Sequence, residues 1–138
     1  MYSIGEISHR AGVKVPTIRY YEQMGLLDAP ERTRGNQRRY TKSQLERLTF
    51  IRHGRDLGLA ISQIRELIAL SGDPEKPCHE ADRIASEHLT NIRQKIRQLK
   101  GLETELKRIT SLCEGKNIGE CYVIQSLADH SLCKTAHS

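Results

Sequence analysis

The chain has 138 residues, 28% charged and 37% hydrophobic, with 4% aromatic and no Trp, a balance that suits a helical protein with an aliphatic core and leaves too little chain for two full globular domains. No apolar stretch approaches the length of a bilayer span and the opening MYSIGEISHR lacks the apolar run of a secretion signal, so a cytoplasmic protein with no membrane partner is expected. The net charge of +5 sits in one half: residues 1–70 carry 12 Lys/Arg against 7 Asp/Glu, and residues 71–138 carry 10 of each. Arg32 to Lys42 hold five cations and no anion, the concentration of positive field expected where a surface meets phosphates.

Ser3 followed by Glu6 matches a capping box and predicts a first helix over Ile4–Ala11, ended by Gly12. After Val13-Lys14-Val15, Pro16 stands where a helix start tolerates its missing N–H, and a second helix runs through Thr17 to Glu22 and stops at Gly25. Two short helices across a glycine turn make a helix-turn-helix whose second helix enters the major groove. Lys14, Thr17, Arg19, Tyr20 and Tyr21 are then its candidate DNA contacts, with one tyrosine packing inward and the other donating its hydroxyl to a phosphate. Ala29 to Tyr40 has no helical period, and Gly35-Asn36 signals a turn between short extended arms, so this segment reads as a β-wing. Arg34, Asn36, Arg38, Arg39 and Tyr40 on the wing are candidate backbone contacts.

Thr41 caps a third helix with Leu45, Leu48, Ile51 and Leu57 as its apolar stripe and Gly58 as its end; Ser62 opens a fourth with Ile64, Leu67, Ile68 and Leu70. Residues 1–72 therefore form one winged helix-turn-helix unit. A turn-rich break precedes a single helix from Glu80 to about Leu112, within a segment of residues 78–112 that spans roughly 50 Å at about 1.5 Å per residue. Leu89, Ile92, Ile96 and Leu99 step by 3-4-3, and Leu102, Leu106, Ile109 and Cys113 step by 4-3-4 after a one-residue slip. A seam this narrow is what a coiled-coil partner covers, so a homodimer is expected.

All four cysteines, Cys78, Cys113, Cys121 and Cys133, lie in the neutral half. In a reducing compartment such a group more often binds metal or senses redox state than forms disulfides. The glycine-containing run from Cys113 to Cys121 can fold two thiols around one ion, and Cys121 to Leu127 reads as a short amphipathic helix, giving a metal-binding loop and helix over 113–128 and a flexible tail over 129–138. His79 is an alternative ligand, and Cys133 a further one. No serine-histidine-aspartate order, glycine-rich phosphate loop or catalytic carboxylate pair is present, so the chain is not read as an enzyme.

The strings Ile-Gly-Glu (4–6), Thr-Ile-Arg-Tyr-Tyr-Glu (17–22), Gly-Leu-Leu (25–27), Arg-Arg-Tyr (38–40) and Leu-x-x-Ile-Arg (48–52) resemble the DNA-binding domain of the MerR family of transcription regulators. The resemblance implies an antiparallel homodimer on double-stranded promoter DNA, whose distortion by the effector-bound form realigns the promoter elements for RNA polymerase, an indirect partner. With Cys78 at the opening of the long helix, the cysteine half is similar to the heavy-metal branch of that family. There Cys78 of one chain and Cys113 and Cys121 of the other hold one ion, and a cysteine at the helix opening goes with divalent ions: Zn, Cd, Pb or Hg. A rival reading keeps the DNA-binding half and makes Cys113 and Cys121 an oxidisable redox switch. The fold expected is mainly α: a winged helix-turn-helix, a long antiparallel coiled-coil helix, and a short metal-binding loop and helix.

Overall fold

Ser3 Oγ accepts the Glu6 N–H at 3.1 Å while the Glu6 carboxylate accepts the Ser3 N–H at 3.3 Å, and this reciprocal cap opens helix α1, Ile4–Ala11. In the computed structural model, which describes residues 1–112 and 117–129, the remaining elements follow in the expected order. They are α2 (Val15–Gln23), strands β1 (Glu31–Arg32) and β2 (Arg38–Arg39), α3 (Lys42–Asp56), α4 (Ile61–Ser71), α5 (His79–Ser111), a 3-10 turn (Ile118–Glu120) and α6 (Tyr122–Ala128). The chain divides into two units, Met1–Asp82 and Arg83–Ser138.

In the first unit α1 ends where Gly12 turns left-handed at φ 67°, with its N–H returned to Ser8 O. A Cβ there would lie 1.8 Å from Arg52 Nη1, which itself donates to Ala11 O at 2.9 Å, so glycine is required both by conformation and by space. α3 opens on a second reciprocal cap between Thr41 and Gln44. Ile7, Ile18, Leu48, Ile51 and Ile64 are fully buried and form the core, each contributing about 1.5–3 kcal/mol of transfer free energy. Gly54 lets α3 and α4 approach, since a Cβ at that position would meet Ile64 Cγ1 at 2.9 Å.

Two expectations about this core are corrected. Leu57 is 70% exposed, because the chain leaves α3 at that residue and turns through Gly58 at φ 81°, and Leu59 is buried instead. The fourth helix opens at Ile61 rather than Ser62, with the Ala60 N–H received by the Gln63 side chain at 2.8 Å.

The second unit is built on α5. Leu89, Ile96, Leu99 and Leu106 form an exposed apolar row along it, with Leu106 at 59% and Leu99 at 64% exposure. Ile109 departs from the expected seam: it is buried together with Glu105, and Leu102 is half-buried. α6 lies against this face, where Arg108 donates to the Tyr122 hydroxyl at 2.9 Å. Past the one-residue slip the leucine pattern divides, with Leu106 still exposed, Leu102 half-buried and Ile109 buried.

Candidate nucleic-acid interface and cysteine region

α2 starts at Val15 after the exposed Lys14 and presents Thr17 half-buried and Arg19 and Tyr20 exposed. Tyr21, one position on, is buried with only 7% of its surface exposed, so the tyrosine pair splits into one packed ring and one solvent-facing ring 6.1 Å apart. In the wing, Glu31 stands opposite Arg39 and Arg32 opposite Arg38 in antiparallel register. Its turn closes through Thr33 N–H to Gln37 O at 2.9 Å and Asn36 N–H to Thr33 O at 2.9 Å, with Asn36 left-handed at φ 61°. Arg34 is exposed on that turn.

Arg19, Arg32, Arg38 and Arg39 wall a cleft of about 680 Å³ together with Asn36, Gln37 and the first residues of α1. Arg32 Nη1 donates to Asn36 O at 3.2 Å, and Arg39 Nη2 donates to Gln37 Oε1 at 3.2 Å, so two of these cations also stiffen the wing. Arg38 Nη1 is buried without an acceptor among the described residues.

Tyr40 takes a different place from the one expected of a DNA contact. It is fully buried, its hydroxyl donates to Glu22 at 2.5 Å, and its backbone pairs with Tyr2 on both sides at 2.8 Å. Burial, followed by the Glu22 hydrogen bond, pushes its phenol well above the usual range, and the neighbouring Arg38 only partly offsets this. Tyr40 therefore ties the base of the wing to α2 and sets the reading helix and wing against each other. Sequence reasoning missed Glu22, Arg32 and Gln37 as parts of this arrangement; the Tyr40 hydroxyl, which a buried tyrosine must satisfy, was the signal that could have found Glu22.

Other arginines of this unit close helix ends. Arg52 donates to Ala11 O, Arg65 to Met24 O at 2.8 Å and Arg55 to Leu59 O at 2.7 Å, each a cation on carbonyls at or just past a helix C-terminus. The N-terminal charge excess is thus divided between a cleft and helix caps.

Cys78 is exposed and immediately precedes α5, its carbonyl accepting the Asp82 N–H at 3.0 Å. It borders an apolar groove of about 320 Å³ lined by Phe50, Leu67, Leu70, Pro74, Pro77 and Ala81, with Phe50 40% exposed. His79 is exposed beside Glu80, Nε2 to Oε1 3.8 Å. Cys121 is half-buried at the junction between the 3-10 turn and α6. Cys113 and Cys133 lie outside the described residues, among which no group of three or more His, Cys, Asp or Glu is gathered for a metal ion. The thiols suit a soft or borderline cation better than a hard one.

Reading helix, wing and arginine cleft define a helix-turn-helix DNA-binding protein, and no helix among the described residues is long and apolar enough to cross a membrane. The chain belongs to the MerR family: the model described as "MerR HTH family regulatory protein" matches residues 2–70, and one described as "MerR, DNA binding" matches residues 45–109. Its relatives are transcription regulators, not enzymes. The HTH-type transcriptional regulator ZntR of Escherichia coli K12 is 41% identical over 83% of this chain and 82% of its own length. The heavy metal-dependent transcription regulator 2 of Rhizobium meliloti is 35% identical over 94% of this chain and 88% of its own. Among solved structures, the transcription regulator PbrR691 from Ralstonia metallidurans CH34 in complex with lead(II) is 37% identical, covering 92% of this chain and 99% of that one with a TM-score of 0.80.

Proposed function

We propose that this chain is a metal-responsive regulator that binds promoter DNA as a homodimer and activates transcription when a divalent soft or borderline ion occupies a cysteine site. The observation that carries the DNA-binding part is the cleft walled by Arg19, Arg32, Arg38 and Arg39 at the side of α2. These cations meet phosphates and fix register, while Thr17, Arg19 and Tyr20 on the exposed face of α2 meet the groove and Lys14, Arg34 and Asn36 add backbone contacts. A second copy covers the exposed row Leu89, Ile96, Leu99 and Leu106, in antiparallel pairing.

Cys78 of one chain with Cys113 and Cys121 of the other holds the effector, with His79 and Cys133 as accessory donors. A similar regulator crystallised with lead(II) supports a divalent ion, and the chain's own thiols support a thiophilic one. Binding releases thiol protons, so occupancy rises with pH. The bound ion favours one of two arrangements of the DNA-binding units in the dimer, and only its differential affinity for them can drive the promoter distortion. Regulation of this kind operates in the cytoplasm and reaches RNA polymerase through the DNA.

An operator-reporter assay across Zn(II), Cd(II), Pb(II) and Hg(II) tests promoter control and ion identity together. Cys113→Ala leaves operator affinity within about twofold and abolishes the metal response; loss of basal operator binding instead rejects the division of labour. Reduced protein that retains no ion at a fixed stoichiometry points to the redox reading.

A further inference from the structure

α6 spans seven residues, Tyr122–Ala128, with no side-chain cap at its start, and a helix of that length is unstable by itself in water. Its apolar side chains do little to hold it: Leu127 is 78% exposed and Ile124 46%, leaving Val123 half-buried and the small Ser126 buried. A polar network stands in for that missing apolar contact. Glu105 is buried at 2% exposure, and the Arg108 guanidinium grips its carboxylate with Nε and Nη2. The remaining arm of the same guanidinium, Nη1, donates to the Tyr122 hydroxyl at 2.9 Å, with the guanidinium carbon 5.6 Å from the ring centroid.

The order of dependence is physical. A buried carboxylate without its cation is strongly disfavoured, so Glu105 fixes Arg108. Arg108, gripping that carboxylate with Nε and Nη2, turns Nη1 to the Tyr122 hydroxyl. Tyr122 is the residue next to Cys121, whose N–H is already held by Ile118 O at 3.1 Å and whose carbonyl accepts the Gln125 N–H at 3.0 Å.

We propose that Glu105, Arg108 and Tyr122 form a latch that holds the first turn of α6 on α5 in the metal-free protein and so positions the adjacent Cys121 thiol for ion capture. This rests on the reading of Cys121 as a ligand. Pre-positioning matters because an ion that binds only the ordered loop sees its affinity scaled by the fraction of chains already ordered. Arg108 and Tyr122 are positioning residues; neither donates to the ion.

The test uses full-length reduced protein and Tyr122→Phe, which removes the hydroxyl and keeps the ring. In the metal-free state the amides of residues 122–128 exchange about 3- to 10-fold faster in the variant, the range an ordinary net hydrogen bond commands, while those of α1 to α4 and operator binding are unchanged. Affinity for Pb(II) or Zn(II), read by chelator competition, falls by a similar factor. Arg108→Lys, which keeps one charge for Glu105 but has no planar fork to span both that carboxylate and the Tyr122 hydroxyl, reproduces the effect, and combining it with Tyr122→Phe adds little. Unaltered exchange of α6 in Tyr122→Phe overturns the latch. Faster exchange with unaltered ion affinity overturns its positioning role, and Cys121→Ser then locates the fault: abolished binding leaves Cys121 a ligand that needs no latch, whereas retained binding removes Cys121 from the site.

Discussion

The two units of this chain satisfy their apolar residues differently. Met1–Asp82 buries Ile7, Ile18, Leu48, Ile51 and Ile64 within itself, whereas the spine of the second unit leaves Leu89, Ile96, Leu99 and Leu106 in water. A segment with a closed core can fold and read DNA by its own contacts. An open leucine row is the kind of surface that the proposed second copy would cover. On the proposed function, the contrast separates recognition, which is built into one chain, from assembly, which falls to a second copy.

The sharpest way to break this comparison is to remove the same amount of side chain from each unit. Ile51→Ala, at a fully buried position, lowers the stability of the first unit by about 2–5 kcal/mol and carries operator binding down with it. Leu106→Ala, at a position 59% exposed, leaves first-unit unfolding unchanged and weakens self-association by roughly tenfold, about 1.4 kcal/mol at one contact. Denaturant unfolding beside sedimentation equilibrium reads both; equal losses of first-unit stability in the two variants would erase the distinction.

A smaller effect sharpens the account of the cleft. Arg38→Gln removes the guanidinium whose Nη1 has no acceptor among the described residues, and operator affinity falls roughly tenfold across related sequences. The slope of log affinity against log salt becomes shallower by about 2 per dimer, one phosphate contact in each half. An unchanged slope at reduced affinity means that Arg38 meets bases or supports the fold.

The smallest effect concerns the pin between wing and helix. The folded Tyr40 phenol titrates above its ordinary value of 10.0, so its contribution is fully present below that pH and is lost as pH rises through the folded value. Tyr40→Phe costs about 1 kcal/mol at pH 8 by leaving Glu22 without its donor, and it flattens the loss of stability expected of the native protein above pH 10. Parallel alkaline profiles for the two proteins would place the titration elsewhere.

Local signals made most of the fold legible. Ser3 with Glu6, Thr41, Pro16, Gly12 and the Gly35-Asn36 turn each act within a few residues, and the elements they announced are present. What escaped depends on distant contacts. Leu57 keeps the helical period but Gly58 turns the chain away, Ile109 keeps the leucine pattern but is buried within its own chain, and Tyr40 sits among arginines in sequence while its hydroxyl reaches Glu22. For the site, residue types and spacing pointed to the arginines and Tyr20. They could not tell which arginines line the cleft and which, like Arg52 and Arg65, close helix ends 41 residues away. The ligand set of Cys78, Cys113 and Cys121 remains a proposal drawn from thiol chemistry and family likeness.

Arg52 fills the space over Gly12 while holding Ala11 O, so the bend between the two reading helices is clasped from α3. An excised peptide of the two helices alone would carry every side chain proposed to face the bases and still lose the angle at which they are presented. Grafting this specificity onto another scaffold therefore requires transplanting the third helix with it.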